Sequence, residues 1–283
     1  MAREPGRIRA FNPRRTLAVS VTGRGCALRC RHCGGRYLKG MADLGRARRL
    51  LLGPPWPRPF RPVRFWSLLV SGGSDLSGRV PLADHLGDLE VFRALGLRLN
   101  LHTGLVGPEE AAGLGPLASA VSLDFVGSAE VAREVYGLNA GPRESIAALR
   151  ALKPFARVVP HLCLGLKGGE PSAEEEALEL LSCEGVEALV LLVFTPTPGT
   201  DYSGRLPPPL PRVEALFRLA RELLPRAAVY LGCMRPGGGY RRELDRAAVR
   251  AGLDGVVLPA AEALEEALAL GLEVSWGEEC CAL

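Results

Sequence analysis

The chain has 283 residues, 47% of them hydrophobic and 23% charged, which suits a globular protein with a core large enough to need no disulfide staples. No apolar run approaches the roughly 18 residues of a membrane span, and the arginine-rich start, Met1 to Arg15, lacks the apolar stretch of a secretory signal; a cytoplasmic protein without membrane attachment is expected. The net charge of +4 hides an asymmetry, because residues 1–61 hold 15 Arg and Lys against 2 Asp and Glu. Such a basic region either docks an anionic partner or is a solvated arginine face. With no interleaved aromatic platform and no nucleic-acid motif, no nucleic-acid partner is expected.

Apolar, β-branched runs of strand length occur at Thr16–Gly23, Phe65–Gly73, Leu97–Thr103, Ala120–Gly127, Arg157–Gly165, Ala188–Pro198, Ala227–Met234 and Gly255–Pro259. Helical spacing appears between most of them, at Pro81–Leu95, Ser128–Val135, Glu144–Leu152, Ser172–Leu181, Val213–Leu224, Arg241–Ala251 and Ala261–Leu270. Continuous apolar strands separated by helices predict parallel βα units, and eight of them predict an α/β fold: a (β/α)8 TIM-type barrel, complete or partly open, formed by residues 1–283 as one domain. Two proline-rich stretches, Gly53–Pro59 and Leu206–Pro211, read as stiff loops rather than linkers, since barrel strands continue on both sides. Reactive residues placed just after a strand carry the most weight, because barrel chemistry sits on those loops.

Eight cysteines punctuate the chain. In a cytosolic protein, clustered cysteines hold metal more often than they form disulfides. Cys26, Cys30 and Cys33 form a C-x3-C-x2-C run directly after the first predicted strand. Three thiolates in eight residues leave one metal position open; for a cubane iron–sulfur cluster, three irons are held by protein and one is free. A three-cysteine zinc site borrowing His32 is the alternative.

This spacing, after the first strand of a βα barrel, resembles the radical S-adenosylmethionine superfamily. The resemblance implies a [4Fe–4S] cluster on Cys26, Cys30 and Cys33, with its open iron chelated by S-adenosylmethionine. That cofactor is cleaved to methionine and a 5′-deoxyadenosyl radical. The resemblance also assigns cofactor contacts. His32 stands where the family has an aromatic residue near the adenine, and Ser71, Gly72 and Gly73 end the second strand where a glycine pair meets the methionine amino group. Ser122 and Asp124 resemble a ribose-binding polar-x-Asp pair, with a strand-end cap or salt bridge as the bland alternative for Asp124. The turn around Pro198, Thr195–Thr200, lies near the adenine. Ser74 and Asp75 depart from the Glu that often follows the glycines. His102 and His161 read as structural.

A second sulfur site is expected from Cys233, at the end of the seventh predicted strand, and from Cys280 and Cys281 near the end of the chain. A disulfide between adjacent cysteines is strained, and two exposed tail thiols are a redox liability. If the tail folds over the barrel mouth, the three thiols can hold a second cluster, with Cys163, a Ser or an Arg as candidate fourth ligand; the alternative is a buried Cys233 and a disordered tail. Cys183 reads as a buried hydrophobe.

The run Val19–Gly23, the three cysteines, Gly34–Met41, the Thr195–Thr200 turn, Cys233–Pro236 and the Cys-Cys ending together resemble biotin-synthase-related radical S-adenosylmethionine proteins, among them one subunit of the split, two-protein lipoyl synthase. That resemblance implies a sulfurtransferase in lipoate biosynthesis, inserting sulfur into the octanoyl chain of an octanoyl-lysine. The sulfur would come from an auxiliary [4Fe–4S] cluster. Its implied partners are a paired radical protein, an octanoylated carrier or lipoyl domain such as the glycine cleavage H protein, and an electron donor such as ferredoxin. The alternatives are another biotin-synthase-like reaction with inert tail cysteines, or a non-catalytic binding module using the basic start.

Overall fold

A computed structural model describes residues 6–53 and 65–283. Eleven strands form one sheet in which every pairing is parallel: β1 Arg7–Phe11, β2 Thr16–Ser20, β3 Ala42–Asp43, β4 Ser67–Ser71, β5 Arg98–His102, β6 Ala120–Phe125, β7 Val158–Leu164, β8 Ala188–Val193, β9 Ala228–Leu231, β10 Gly255–Val257 and β11 Glu273–Gly277. The spatial order is β11-β1-β10-β9-β8-β7-β6-β5-β4-β2-β3. All eight expected strands are present, and the sheet is an open partial barrel. β1 and β11 extend it at one edge, and the two-residue β3 extends it at the other.

The helices are α1 Leu44–Leu52, α2 Leu86–Ala94, α3 Pro108–Leu114, α4 Ala129–Val131, α5 Pro142–Leu152, α6 Glu174–Cys183, α7 Leu210–Leu223, α8 Gly238–Arg250 and α9 Ala261–Ala269. Local chemistry starts several of them. The Asp43 carboxylate caps α1 by accepting the Arg46 N–H at 2.7 Å, and Pro108 and Pro142 open α3 and α5, where a missing N–H costs nothing. α1 and α3 were not anticipated from the sequence; α3 has few periodic apolar residues, whereas α1 carries Leu44, Ala47 and Leu51 at helical spacing. The stretch Gly53–Pro59 lies outside the described residues from Pro54 on, whereas Leu206–Pro209 is the expected loop, its Pro208 carbonyl accepting the Tyr240 hydroxyl at 2.7 Å.

Alternation along each strand sorts its side chains. Leu68, Val70, Leu99, Leu101, Val121, Leu123, Leu162, Leu164, Leu189 and Leu191 join helix residues in the main core. Their alternate neighbours face the lumen, and these divide by type: Ser20, Ser71, Asn100, His102, Ser122 and Asp124 on one wall, Val159, Ala188, Val190, Ala228 and Tyr230 on the other.

The open seam between the β11–β1 edge and the β2–β3 edge is bridged by the end of the chain. Asn12 N–H donates to the Gly277 carbonyl at 2.7 Å, Arg15 N–H to the Glu278 carbonyl at 2.9 Å, and Cys280 N–H to Thr16 Oγ1 at 2.9 Å. Glu278 pairs with Arg14 and Glu279 with Arg98. Thr16 and Arg98 begin their strands, and Arg157, which donates to the Ala282 carbonyl at 3.3 Å, immediately precedes β7. The tail expected over the mouth therefore closes the opposite end of the barrel. There Cys281 and Ala282 pack with Phe11, Val159, Tyr230 and Val257 as a lumen floor. The physical reason is charge and shape: basic residues at the strand starts attract Glu278 and Glu279, and the apolar wall receives the two small residues behind them. Cys183 is also corrected. It is exposed, because the buried stripe of α6 runs through Glu174, Ala177, Leu178 and Leu181, and residue 183 falls on the other face.

Candidate metal centre in the barrel mouth

The loop after β2 is shaped by short hydrogen bonds and two left-handed glycines. Thr22 Oγ1 donates to the Gly25 carbonyl at 2.8 Å and accepts the Gly73 N–H at 2.7 Å, which ties the loop to the end of β4. Gly34 N–H donates to the Cys30 carbonyl at 2.7 Å, and Gly34 and Gly35, at φ 53° and 73°, turn the chain back after Cys33. At Gly73 any side chain is excluded, since a Cβ would collide with the Gly25 carbonyl and sit 2.5 Å from Cys26 Cα. Gly72 is less crowded, with 3.1 Å from its would-be Cβ to Val21. Ser71 is buried beside them.

Cys30, His32 and Cys33 bring potential ligand atoms within 4.8 Å of one another, the one such set of three among the described residues. The Cys26 sulfur instead turns toward the Ser74 carbonyl, 4.0 Å away. All three thiols are free. Sharing a hydrogen bond with Cys30 pulls the Cys33 thiol down, helped by the His32 ring, while the same bond and burial push Cys30 up. His32 Nδ1 is buried with no hydrogen-bond partner, and its ring meets Tyr136 edge-on at 5.6 Å.

Two further segments close over this loop. The turn containing Pro198 is tied to it through Tyr37 Oη and Thr197 Oγ1, 3.0 Å apart, and through Arg36, which donates to the Gly199 carbonyl at 3.0 Å. A π-helical turn at Ala132–Tyr136, following α4, supplies the Val135 carbonyl that accepts the Arg31 N–H at 2.9 Å. Tyr136 was missed in the sequence, where Ser128–Val135 reads as ordinary helix; its only signal is an aromatic residue soon after a strand end.

Ser122 and Asp124 both face the lumen. Ser122 is buried and donates to Asn100 Oδ1 at 3.0 Å. Asp124 pairs with His102 Nε2 at 3.3 Å, and its side chain is 54% exposed. Protein nonetheless surrounds it, so the carboxylate lines a concavity that solvent reaches. Burial works to raise its pKa, but the charges of His102, then His161 and His32, hold it at about 2. His102 is raised in return, against burial, by Asp124. His161 is lowered to about 4 by burial and by His102; its Nδ1 is 3.0 Å from the Val159 carbonyl, and the rings of His102 and His161 lie 5.9 Å apart. The expectation that both histidines are merely structural is incomplete, for they line the cavity beside Asp124.

Cys233, on the loop after β9, is reached by solvent at its surface yet has protein packed around it, and this desolvation, with the charge of Cys280, pushes its thiol up. Cys280 is lowered chiefly by a hydrogen bond with Cys281, and Cys281 is raised by the same bond and by burial. Asn100 Nδ2 donates to Cys280 Sγ at 3.5 Å. The structure thus places Cys280 and Cys281 side by side and Cys233 within reach of their charge, without drawing the three as close as Cys30, His32 and Cys33. The Cys163 thiol is raised by burial, then by Asp124 and Glu174; it joins Val126, Phe194 and Tyr202, away from the tail.

The donor set fits a sulfur-ligated metal cluster: three free thiols on one loop, an unpartnered imidazole nitrogen, and a glycine backbone packed where a side chain would fill the cradle. No protein-family model matches the sequence, and no curated protein matches it either. The fold is shared with solved structures. The FeFe-hydrogenase maturase HydG from Carboxydothermus hydrogenoformans superposes with a TM-score of 0.67 at 17% identity, over 95% of this chain and 68% of that one. Methylornithine synthase (PylB) gives 0.63 at 13% identity, over 95% and 84%. No helix among the described residues is long and apolar enough to cross a membrane.

Two outcomes follow from this geometry. Gly73→Ala is expected to displace the loop and weaken its capacity for metal, a loss of about four irons if the site takes a cubane, read by iron analysis after anaerobic reconstitution; full retention contradicts the cradle. A carboxyl held at about 2 instead of its ordinary 3.8 adds stability that is present above 3.8 and lost as pH falls through 2. Asp124→Asn should therefore flatten the acid limb of the stability curve below pH 4, and superimposable acid denaturation of the two proteins contradicts the His102–Asp124 pairing.

Proposed function

We propose that the chain is a radical S-adenosylmethionine enzyme, and within that class a sulfurtransferase: one subunit of a two-protein lipoyl synthase that inserts sulfur into protein-bound octanoyl-lysine. The observation that carries the reading is a loop of three free thiols at the mouth, its Cys26 packed against the Gly73 backbone, above a lumen that ends on a second pair of thiols. The fold shared with HydG and PylB supports the broader class.

In this reading Cys26, Cys30 and Cys33 hold a [4Fe–4S] cluster, and the backbone of Gly72 and Gly73 receives the methionine end of S-adenosylmethionine. Cluster and cofactor together supply one-electron chemistry able to take hydrogen from an unactivated carbon, which side chains cannot do. The chain's own residues do the rest. His32 within the loop packs edge-on against Tyr136, and the turn around Pro198 covers the loop. Asp124, kept ionised by His102, offers a fixed acceptor in the cavity for a hydroxyl of the cofactor. The apolar wall of Val190, Leu192 and Tyr230 suits an alkyl chain and excludes water, aligning a carbon with the reacting groups. Cys233, Cys280 and Cys281 hold the auxiliary cluster that donates sulfur. The paired subunit, the octanoylated carrier and an electron donor such as ferredoxin are the partners of this reading, and the exposed Arg24, Arg29, Arg31 and Lys39 around the loop suit acidic ones.

A second reading, a biotin-synthase-like enzyme of another task with inert tail thiols, is favoured by one feature: Cys281 is packed as an apolar floor residue. Metal content separates the two. Sulfur insertion predicts about eight irons in the reconstituted chain and about four in a Cys26/Cys30/Cys33→Ala variant, at four per cubane. About four irons in the native chain and none in the variant would leave a single-cluster enzyme and remove the lipoyl assignment.

A further inference from the structure

We propose that Asn100 is a positioning residue for the second sulfur site: its amide N–H is aimed at the Cys280 sulfur and tunes the cluster that sulfur would hold. The inference rests on the sulfur-insertion reading and goes beyond its ligands. Asn100 lies in the middle of β5 on the lumen side and is 0% exposed. A buried primary amide must be satisfied within the protein. Its Oδ1 accepts the Ser122 hydroxyl at 3.0 Å, which turns the NH2 group toward Cys280 Sγ at 3.5 Å.

The rest of Cys280 is fixed independently. Its N–H donates to Thr16 Oγ1, which in turn meets Ser67 Oγ at 2.8 Å, and the adjacent Glu279 is paired with Arg98. Backbone and sulfur are thus held from β2, β4 and β5, so the thiol direction does not depend on a mobile tail. An N–H directed at sulfur stabilises negative charge there without adding a charge of its own. At a cluster ligand, such hydrogen bonds are among the factors that set reduction potential. Losing this one favours the oxidised form and makes the potential more negative.

The experiment is a redox titration followed by electron paramagnetic resonance in the full-length Cys26/Cys30/Cys33→Ala protein, where only the second cluster remains. Asn100→Asp keeps the shape and reverses the interaction; Asn100→Leu removes it. Ser122→Ala, the mildest change, leaves Asn100 in place but frees its amide to rotate. The expected result is a midpoint shifted to more negative potential in all three, largest for Asn100→Asp and smallest for Ser122→Ala, with about four irons retained. Iron retained with an unmoved potential in all three overturns the role of Asn100 and leaves the second cluster standing. Absence of iron from the parent triple variant overturns the sulfur-insertion reading itself, and the inference with it.

Discussion

A polar inner wall is the constraint on which the rest of this structure depends. Parallel barrels are ordinarily filled by layers of branched side chains, but the wall from β2 to β6 presents Ser, Asn, His and Asp inward. Those residues cannot pack an apolar centre, and each needs a partner or solvent. Stability has to come from elsewhere: from the continuous leucine-rich layer between sheet and helices, which holds Leu68, Leu99, Leu123, Leu164, Leu191 and Phe217 at 1% exposure or less, and from the tail that seals the lumen floor.

The seal and the site are one device. Because the sheet does not close between its β11–β1 and β2–β3 edges, the last residues bridge the seam by hydrogen bonds and then turn inward, carrying two thiols to the floor. The mouth is built by the complementary strategy of close approach, with Gly73 pressed against Cys26 and the cysteine loop wrapped by the Pro198 turn and the π-helical turn. Polar chemistry lies between the two ends, where Asp124, His102 and His161 share a cavity that solvent reaches. Arg235 contributes from the buried side of the Cys233 loop: it pairs with Asp245 at 2.6 Å and donates to the Gly232 carbonyl, so the residue before Cys233 is anchored to α8. Removing one partner of such a pair leaves an uncompensated buried charge, which makes this loop rigid by construction.

Much of this was legible in the sequence, for physical reasons. Each barrel strand buries leucines or valines against the helices, so all eight stood out as apolar runs despite the polar inner face of β2 to β6, and three closely spaced cysteines after the first of them had few competing explanations. β1 and β11 did not stand out. Arg7 and Arg9 interrupt β1, and β11 is an exposed edge in which Trp276 and Glu273 face solvent. The position of the tail was not legible, because the contacts that place it join residues more than 120 apart: Glu278 with Arg14, Glu279 with Arg98, Ala282 with Arg157. Asp124 reads as a ribose ligand with a salt bridge as the bland alternative, and the structure gives it a salt bridge; that the partner is His102 depends on two strands meeting in register, His102 opposite Ser122. Asn100 carried no sequence signal, since a lone amide in a strand gains meaning only from Ser122 and Cys280 on either side.

Reductive cleavage of S-adenosylmethionine at the loop of Cys26, Cys30 and Cys33 is the step on which the proposed function rests. The most direct measurement is anaerobic incubation of the reconstituted chain with S-adenosylmethionine and dithionite, followed by chromatography for 5′-deoxyadenosine and methionine. The account predicts both products from the native chain and none from Cys30→Ala. Equal yields from the two proteins, or no product from a native chain that carries its iron, would contradict it.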